Sequence, residues 1–423
     1  MKKIINYVSV ALMALSMTTV SCSSSEDNDN NVVPDNYNAF ADKTYGTLAI
    51  ARCASIVEQM EAANAKIEGT ALTAEQESYL KDVLANLVDA VIVPTYTQLA
   101  DNTEKLEATL NGLTAETITQ AEINEACRLF GEARVQWERS EAFLGGAASD
   151  FSVDPTIDSW PLSRTALHTY LTGKMNPEDL DDESILGFHA LEFILFRNGQ
   201  PRKVSEFKNK DTYNGFQDVD GSSELTYAQQ VCKLLKQRTF QLQVAWEGKT
   251  TANAARYAEV QNAGLDLTTA NGLTFGEDLK QAGSAKSKYA TVKDAVAQIL
   301  SDEEGSAAAI ANEVGTAKIA NPFSAGEISY VESPYSYRSI VDFQDNIRSV
   351  RNVWCGNLDG NTSADIKSFW SFFNTYSPAV NNTVVASYNQ AIDAIGAMPA
   401  PFVKYCCTIH NKEFSEDEYE GEE

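Results

Sequence analysis

The most chemically suggestive part of the chain is the segment Ile185–Phe196, whose other residues are apolar or glycine. His189 and Glu192 are its only ionisable side chains, and they stand three residues apart. On a helix this spacing places both side chains on one face, about one turn from each other. A helix that is apolar all round is buried, and burial of an unpaired imidazole and carboxylate is costly. A metal ion, a shared proton or hydrogen bonds from another helix would satisfy the pair.

An imidazole and a carboxylate at this spacing can bind one metal ion from a single helix face. The pair suits iron, zinc, manganese or copper and does not choose among them. Two ligands are too few for a tight site, so another helix must supply more. Five acidic residues are candidates: Glu138, Glu141, Glu332, Asp342 and Asp345. A buried histidine is also a common hydrogen-bonded structural residue, and the pattern alone leaves that alternative open.

Several catalytic patterns are absent from the sequence. It contains no His-Glu-x-x-His, no Gly-x-Ser-x-Gly, no P-loop and no Gly-x-Gly-x-x-Gly after a predicted strand. The only other histidines are His168 and His410, which leaves few options for a Ser/His/Asp site. A metallopeptidase would need an open coordination position for water and a base such as Glu141 or Glu192.

The composition indicates an acidic globular protein. The 33 basic and 59 acidic residues give a formal net charge of −26, which argues against nucleic acid as a partner and favours cations. A hydrophobic content of 43% is typical of a chain with a core, and 423 residues are enough for two domains. Cys53, Cys127 and Cys232 lie in helical apolar patterns, which predicts buried free thiols.

Residues 1–21 have the features of a bacterial lipoprotein signal peptide. Lys2 and Lys3 precede an apolar run, and residues 19–22 (Thr-Val-Ser-Cys) are similar to a lipobox with threonine where leucine is usual. Cys22 is then the lipidated first residue of the mature chain; an ordinary or uncleaved signal peptide is the alternative. Residues 22–36 are polar and acidic, as in a flexible tether. This N-terminus predicts an outer-membrane lipoprotein, exposed at the cell surface or facing the periplasm.

Apolar residues recur at helical spacing along most of the chain, and strand signals are sparse. The predicted helices cover about 38–68, 73–111 with a kink at Pro94, 120–144, 185–196, 224–246, 280–300, 303–316, 337–353, 363–375 and 380–398. Residues 198–223 lack any period and are rich in glycine, proline, asparagine and lysine, as in a linker. The sequence therefore predicts an all-α protein with helical bundles at 37–197 and 224–405 and an acidic tail at 406–423.

Four segments resemble, in the same order, motifs of the imelysin-like family, which is also classed as the M75 peptidases. They are Trp137–Phe143, Ile157–Leu162, Gly187–Glu192 and Glu332–Ile347. The third matches the family's Gly-x-His-x-x-Glu motif, and the resemblance spans roughly residues 37–405. Each motif is moderately specific, and four in order make a stronger match than any one of them.

The resemblance implies two four-helix bundles packed around a central crevice, with a site at their interface and a role in bacterial iron uptake. By it, His189 and Glu192 form the core of a metal site for iron or zinc, to which Glu141 adds a ligand. The implied neighbours of the site are Glu138, Glu332, Ser336 and Asp342. A small ligand and components of an iron-transport system are the implied partners. The family's peptidase label supplies the alternative function, a metal-dependent peptidase.

Overall fold

The computed structural model describes residues 38–173 and 180–412, and the regular secondary structure of these residues is almost entirely helical, as the apolar spacing predicts. The predicted signal peptide, Cys22 and the tether lie outside the described residues, as does the acidic tail beyond Lys412. From Ala39 onward the described residues belong to one compact unit. The all-α fold class is therefore confirmed, whereas the division into two domains stays a prediction.

The helices follow one another along the chain, joined by connections that range from very short to more than ten residues long. They are α1 (Thr44–Glu68), α2 (Ala74–Leu87), α3 (Val93–Leu110), α4 (Gln120–Glu138), α5 (Ala147–Asp150), α6 (Asp154–Ile157), α7 (Arg164–Thr172), α8 (Gly187–Leu195), α9 (Val204–Phe207), α10 (Gly221–Glu247), α11 (Ala254–Asn262), α12 (Phe275–Lys280), α13 (Val292–Leu300), α14 (Ala307–Glu313), α15 (Ser339–Cys355), α16 (Phe369–Tyr376), α17 (Pro378–Gly396) and α18 (Phe402–Ile409). Two short strands, β1 (Phe196–Arg197) and β2 (Gln200–Pro201), pair in antiparallel fashion.

Local sequence signals explain where the helices begin and break. The side chain of Thr73 accepts a hydrogen bond from the backbone N–H of Gln76, and the Gln76 side chain caps the Thr73 N–H, so a capping box begins α2. A π-helical turn, Val88–Ile92, separates α2 from α3 just before Pro94. Proline has no N–H for the helical ladder, so the regular hydrogen-bonding pattern shifts at this point.

Several predicted helices are shorter in the structure; the one predicted at 280–300, for example, is regular only over Val292–Leu300. The third ends at Glu138 rather than Leu144, and a 3-10 turn, Glu141–Phe143, follows it. At this end the hydroxyl of Ser140 donates to the carbonyl of Trp137, which satisfies one of the terminal carbonyls. The buried helix α8 is entered through another 3-10 turn, Glu183–Ile185. Helical spacing marks the apolar face of such segments but does not distinguish a 3-10 turn from an α-helical one.

The packing of the helices crosses the predicted boundary between the halves of the chain. Helix α1 packs against α13, α14 and α17, which come from the second half. Helix α10, from the second half, packs against α3 and α8. The predicted linker 198–223 contains β2 and α9 and packs closely, since Arg202 is buried and paired with Glu224. The interior is one large apolar cluster together with a small second one around Phe240 and Val260.

The thiols and one long apolar helical run complete the description of the fold. The six cysteines that the structure describes are buried and unpaired, as the helical patterns predict for three of them. The helical run Ala74–Leu110 is long and apolar enough to cross a membrane by composition alone. However, 56% of its most apolar window is buried inside the protein, as in the core helix of a globular protein.

Candidate metal centre

The start of α8 brings the predicted histidine beside an aspartate from an earlier segment. Gly187 adopts a left-handed backbone conformation, with φ +78°. A Cβ atom at Gly187 would lie 2.1 Å from the carbonyl oxygen of Ile157, so only glycine allows this close approach. The contact fixes the residue that follows Ile157, which is Asp158, next to His189 on the first turn of α8. The glycine of the Gly-x-His-x-x-Glu motif is therefore a packing residue that assembles the site.

Three side chains from distant parts of the sequence converge at this point. His189 Nε2 lies 3.2 Å from Asp158 Oδ1 and 3.9 Å from Glu332 Oε1. Their potential ligand atoms all lie within 4.8 Å of one another, and His189 and Glu332 are 4% and 1% exposed. The candidate metal centre therefore consists of Asp158, His189 and Glu332.

Helix α4 supplies the groups that hold the two carboxylates in place. The guanidinium of Arg134, which is 1% exposed, donates to both Asp158 Oδ1 and Glu332 Oε1. The indole N–H of Trp137 donates to the other oxygen of Asp158 at 2.6 Å. Arg134 also pairs with Glu138 one turn along its own helix. These bonds orient one oxygen of each carboxylate toward the imidazole.

A buried lysine supplies a second positive charge beside Glu332. Lys318 lies in a π-helical stretch, Val314–Ala325, and is 3% exposed. Its ammonium is 3.1 Å and 3.0 Å from the two Glu332 oxygens and 3.5 Å from a carboxylate oxygen of the half-exposed Glu313. Any cation that binds at the centre therefore shares Glu332 with an ammonium group.

Glu192 binds the backbone of the segment that follows Glu332. Its Oε1 accepts hydrogen bonds from the N–H groups of Tyr335 and Ser336 and from the Ser336 hydroxyl, at 3.0, 2.7 and 2.6 Å. Within the described ranges its Oε2 is buried without a hydrogen-bond partner. Glu192 thus anchors the turn that carries Glu332, and the structure does not group it with the three converging donors.

Three other predicted residues, Glu141, Asp342 and Asp345, lie outside the group of converging donors. Burial separates Glu141 from solvent, and Lys318 is the cation that acts on it most strongly. Asp342 accepts a hydrogen bond from Ser333 at 2.6 Å and lies 3.8 Å from Arg134. The remaining candidate, Asp345, pairs with arginines outside the centre. None of these three belongs to the group of converging donors in the part of the chain that the structure describes, and the predicted ligand set itself stays a prediction.

Burial and nearby charges together determine the protonation of the carboxyl groups around the centre. It raises the pKa of Glu138 and of Glu141 well above the usual range, although neighbouring cations oppose the effect. At Asp158 burial acts in the same direction, but Arg134 and His189 outweigh it and hold the pKa below the usual range. Asp158 is therefore ionised and able to bind a cation, while the acids behind it favour their protonated forms.

These residues fit a transition-metal ion. Ligands ~2.1 Å from one ion in a tetrahedral arrangement are ~3.4 Å apart, close to the spacings of His189 Nε2 from its two acidic neighbours. This nitrogen is buried and faces both carboxylates without a well-directed hydrogen bond to either, an arrangement open to a bound ion. An imidazole with two carboxylates suits iron or zinc.

A small pocket of about 20 Å³ adjoins the centre. His189 and Glu192 line it together with apolar residues of the 160–162 and 331–335 segments. The indole N–H of Trp160, which also lines it, is buried without a hydrogen-bond partner among the described residues. The pocket has room for about one water-sized group.

Sequence reasoning missed one member of the centre, Asp158, and the two cations beside it, Arg134 and Lys318. Asp158 lies inside the segment Ile157–Leu162, which resembles a family motif, so a signal for it existed. Arg134 and Lys318 are single cations in apolar helical surroundings. A single cation in apolar surroundings indicates a buried side chain with a charged partner, but it does not identify that partner.

Comparison with known proteins identifies the class of protein. The model of the Imelysin family, Peptidase_M75, matches residues 92–417, which is most of the chain. The chain therefore belongs to the imelysin family, and the resemblance in its four motifs is confirmed.

Particular relatives are named for regulation by iron. Iron-regulated protein A from Synechococcus elongatus is 25% identical over 321 residues, which cover 75% of this chain and 76% of the relative. The crystal structure of a candidate iron-regulated protein A precursor from Parabacteroides distasonis is also 25% identical. Its TM-score is 0.62, and the match covers 80% of this chain and 90% of that one.

Proposed function

We propose that this protein is a metal-binding imelysin that serves iron acquisition at the bacterial cell envelope. The observation that carries the proposal is the convergence of Asp158, Glu332 and His189 Nε2 in a buried site of the described chain. The iron-regulated names of the relatives support iron as the cargo. The acidic surface, with a net charge of −26, would attract cations from solution.

Each residue has a defined part in this proposal. His189, Asp158 and Glu332 hold the ion, and Arg134 and Trp137 keep the carboxylate of Asp158 oriented. Outer groups of this kind typically change metal affinity by about 10- to 100-fold. The ion supplies positive charge that compensates the carboxylates, which otherwise depend on buried arginine and lysine.

A metal-binding measurement with a matched histidine control tests the proposal. His189→Ala is expected to weaken the binding of ferrous iron or zinc at least about tenfold in calorimetry, because one of three ligands is lost. His168→Ala is the control, since His168 is partly exposed and pairs with Asp218 away from the centre. Equal binding by wild type and His189→Ala would show that the proposal is wrong.

A second pair of variants separates the ligand set of the structure from that of the sequence. Asp158→Asn removes a charged donor that faces His189, whereas Glu192→Gln alters a group that the structure places on the 335–336 backbone. A larger loss of metal affinity in Asp158→Asn supports the converging trio. The reverse order would favour Glu192 as a ligand.

The cellular part of the proposal depends on the N-terminal sequence. We propose that lipid on Cys22 anchors the protein to the outer membrane, where it works with components of an iron-transport system. Metabolic labelling with palmitate is expected to mark the wild type and not Cys22→Ser. Retention of Cys22→Ser in the membrane fraction would contradict the anchor.

The metallopeptidase alternative receives less support from the geometry. Its candidate base, Glu192, is engaged through Oε1 with three donors of the 335–336 turn. The adjoining pocket of about 20 Å³ has no room for a polypeptide. Metal-dependent cleavage of an unfolded polypeptide that disappears in Glu192→Gln would nevertheless establish this activity.

A further inference from the structure

Three arginines lie close together on the outer side of α15. Arg139 follows the last residue of α4, and Arg348 and Arg351 lie one turn apart on α15. Arg139 Nε and Arg348 Nη1 each donate to the same oxygen, Oδ1 of Asp345, at 2.9 Å. These three residues form what we call the arginine cluster.

Only one carboxylate is ion-paired with the arginine cluster among the described residues. Asp345 is 1% exposed and pairs with two of the three arginines. Three guanidinium charges against one carboxylate leave an excess of two positive charges. The excess is notable because acidic residues outnumber basic ones by 59 to 33 in the whole chain.

Arg351 is the member whose side chain has the weakest protein contacts. Its Nε is buried without a hydrogen-bond partner in the described part of the chain, and its Nη2 reaches only the amide oxygen of Asn352, at 3.4 Å. Burial lowers the pKa of Arg351, and the charges of Arg348 and Arg139 act in the same direction. The protein therefore leaves this guanidinium without the anion that it needs.

The cluster retains exposed donors for a ligand. The side chains of Arg139 and Arg348 are 30% and 24% exposed. Arg139 uses only its Nε toward Asp345, so the terminal fork of its guanidinium makes no hydrogen bond to the other described residues. Guanidinium forks match the oxygens of carboxylates and phosphates, often through two parallel bonds.

We propose that the arginine cluster is a binding site for a small multivalent oxyanion, either a di- or tricarboxylate or a phosphate. The ligand would bring two or more negative charges, which matches the excess of the cluster. Arg139 and Arg348 would hold it from the solvent side, and Arg351 would gain the partner that its guanidinium lacks. This site is separate from the candidate metal centre and does not depend on it.

Calorimetric titration with citrate and with inorganic phosphate tests the proposal. The protein is first treated with a chelator, and sodium chloride at matched ionic strength is the blank. The main variant is Arg139→Gln combined with Arg351→Gln, because it leaves the Arg348–Asp345 pair intact. The control is Arg128→Gln, an exposed arginine of α4 that is paired with Glu125 and Glu132.

Wild type and Arg128→Gln are expected to bind at least one of the two anions above the chloride blank. The double variant is expected to bind it at least about tenfold more weakly, because charge-assisted hydrogen bonds are lost. A preference for citrate or for phosphate identifies the ligand class. Binding that survives in the double variant, or no binding above the blank, overturns the proposal. Binding that His189→Ala abolishes would place the anion at the metal centre and would also overturn it.

Discussion

At the scale of single residues, the position of Lys318 has the clearest functional meaning. Its ammonium contacts both oxygens of Glu332, which is also a candidate ligand. An incoming cation must share that carboxylate with a positive charge already in place. If the centre binds a metal ion as proposed, Lys318 therefore weakens that binding while it stabilises the metal-free protein.

Replacement of Lys318 by methionine is expected to tighten metal binding. A unit charge ~5 Å from a cation costs about 3 kcal/mol at an effective dielectric constant of 20, so a gain of about tenfold or more follows. Calorimetry with zinc measures the change. The metal-free variant is expected to lose stability because Glu332 keeps fewer compensating charges.

Lys81→Met is the matched control for this effect. Lys81 is exposed and pairs with Glu77 on α2, so its loss should leave zinc affinity unchanged. Unchanged affinity in Lys318→Met would mean that the ion does not use Glu332.

The sequence predicts some residues of the candidate metal centre and not others. The apolar run around His189 predicts its burial, and Glu332 is among the predicted candidates, because both signals are local. The partnership of His189 with Asp158 depends on a close approach between Gly187 and Ile157, some 30 residues apart in the sequence. No periodicity in either segment encodes that approach.

At the scale of elements, the approach of α8 to the segment after α6 determines the geometry of the centre. The apolar content of α8 buries it, and the absence of a Cβ at Gly187 lets its first turn contact the Ile157 carbonyl. A displacement of α8 would separate His189 from Asp158. The position of α8 and the geometry of the metal centre therefore both depend on Gly187.

Gly187→Ala is expected to destabilise the protein by at least about 3 kcal/mol and to weaken metal binding as well. The substitution forces alanine into a left-handed conformation, which costs about 1–2 kcal/mol. It also places the new Cβ atom against the backbone of Ile157. Denaturant unfolding and calorimetry measure the two effects.

Gly112→Ala separates these contributions. Gly112 has a similar φ of +76°, but a Cβ atom there would meet nothing within 4 Å. It should therefore show only the conformational cost of about 1–2 kcal/mol and normal metal binding. Equal losses of stability in both variants would contradict the role assigned to the Ile157 contact.

The sequence predicts elements better than their ends. Apolar spacing identifies the long helices, and the Thr73 capping box fixes a start correctly, because both depend on residues within one or two turns. The 3-10 turns before α8 and after α4 escape prediction because they depend on tertiary contacts. The packing of α1 against α17 joins distant parts of the sequence, and no local pattern predicts it.

At the scale of the whole molecule, buried acids link stability to pH. Burial and the neighbouring Asp158 raise the pKa of Asp154 to about 7. Between its unfolded and folded pKa values the native state holds a proton that the unfolded state has released. Stability from this group is therefore greatest in acid and falls as the pH rises from about 4 to about 7.

Asp154→Asn is expected to remove this part of the pH dependence. The wild type should lose ~2–4 kcal/mol between pH 5 and pH 8 through this group, and the variant should not, because asparagine does not titrate. Urea unfolding at both pH values measures the difference. Asp82→Asn, at an exposed position on α2, is the control and should behave as wild type. A pH dependence of stability that is identical in wild type and Asp154→Asn would contradict the assignment.

The contact between the first and last described helices has a consequence for how the chain folds. The hydroxyl of Tyr405 donates to the carbonyl of Asp42 and accepts from the N–H of Gly46. Helix α1 therefore completes its packing only after α17 and α18 have been synthesised. Because these contacts join distant parts of the sequence, we expect folding to finish late in synthesis; if the protein is exported as proposed, the unfinished chain would remain able to pass through a translocation pore.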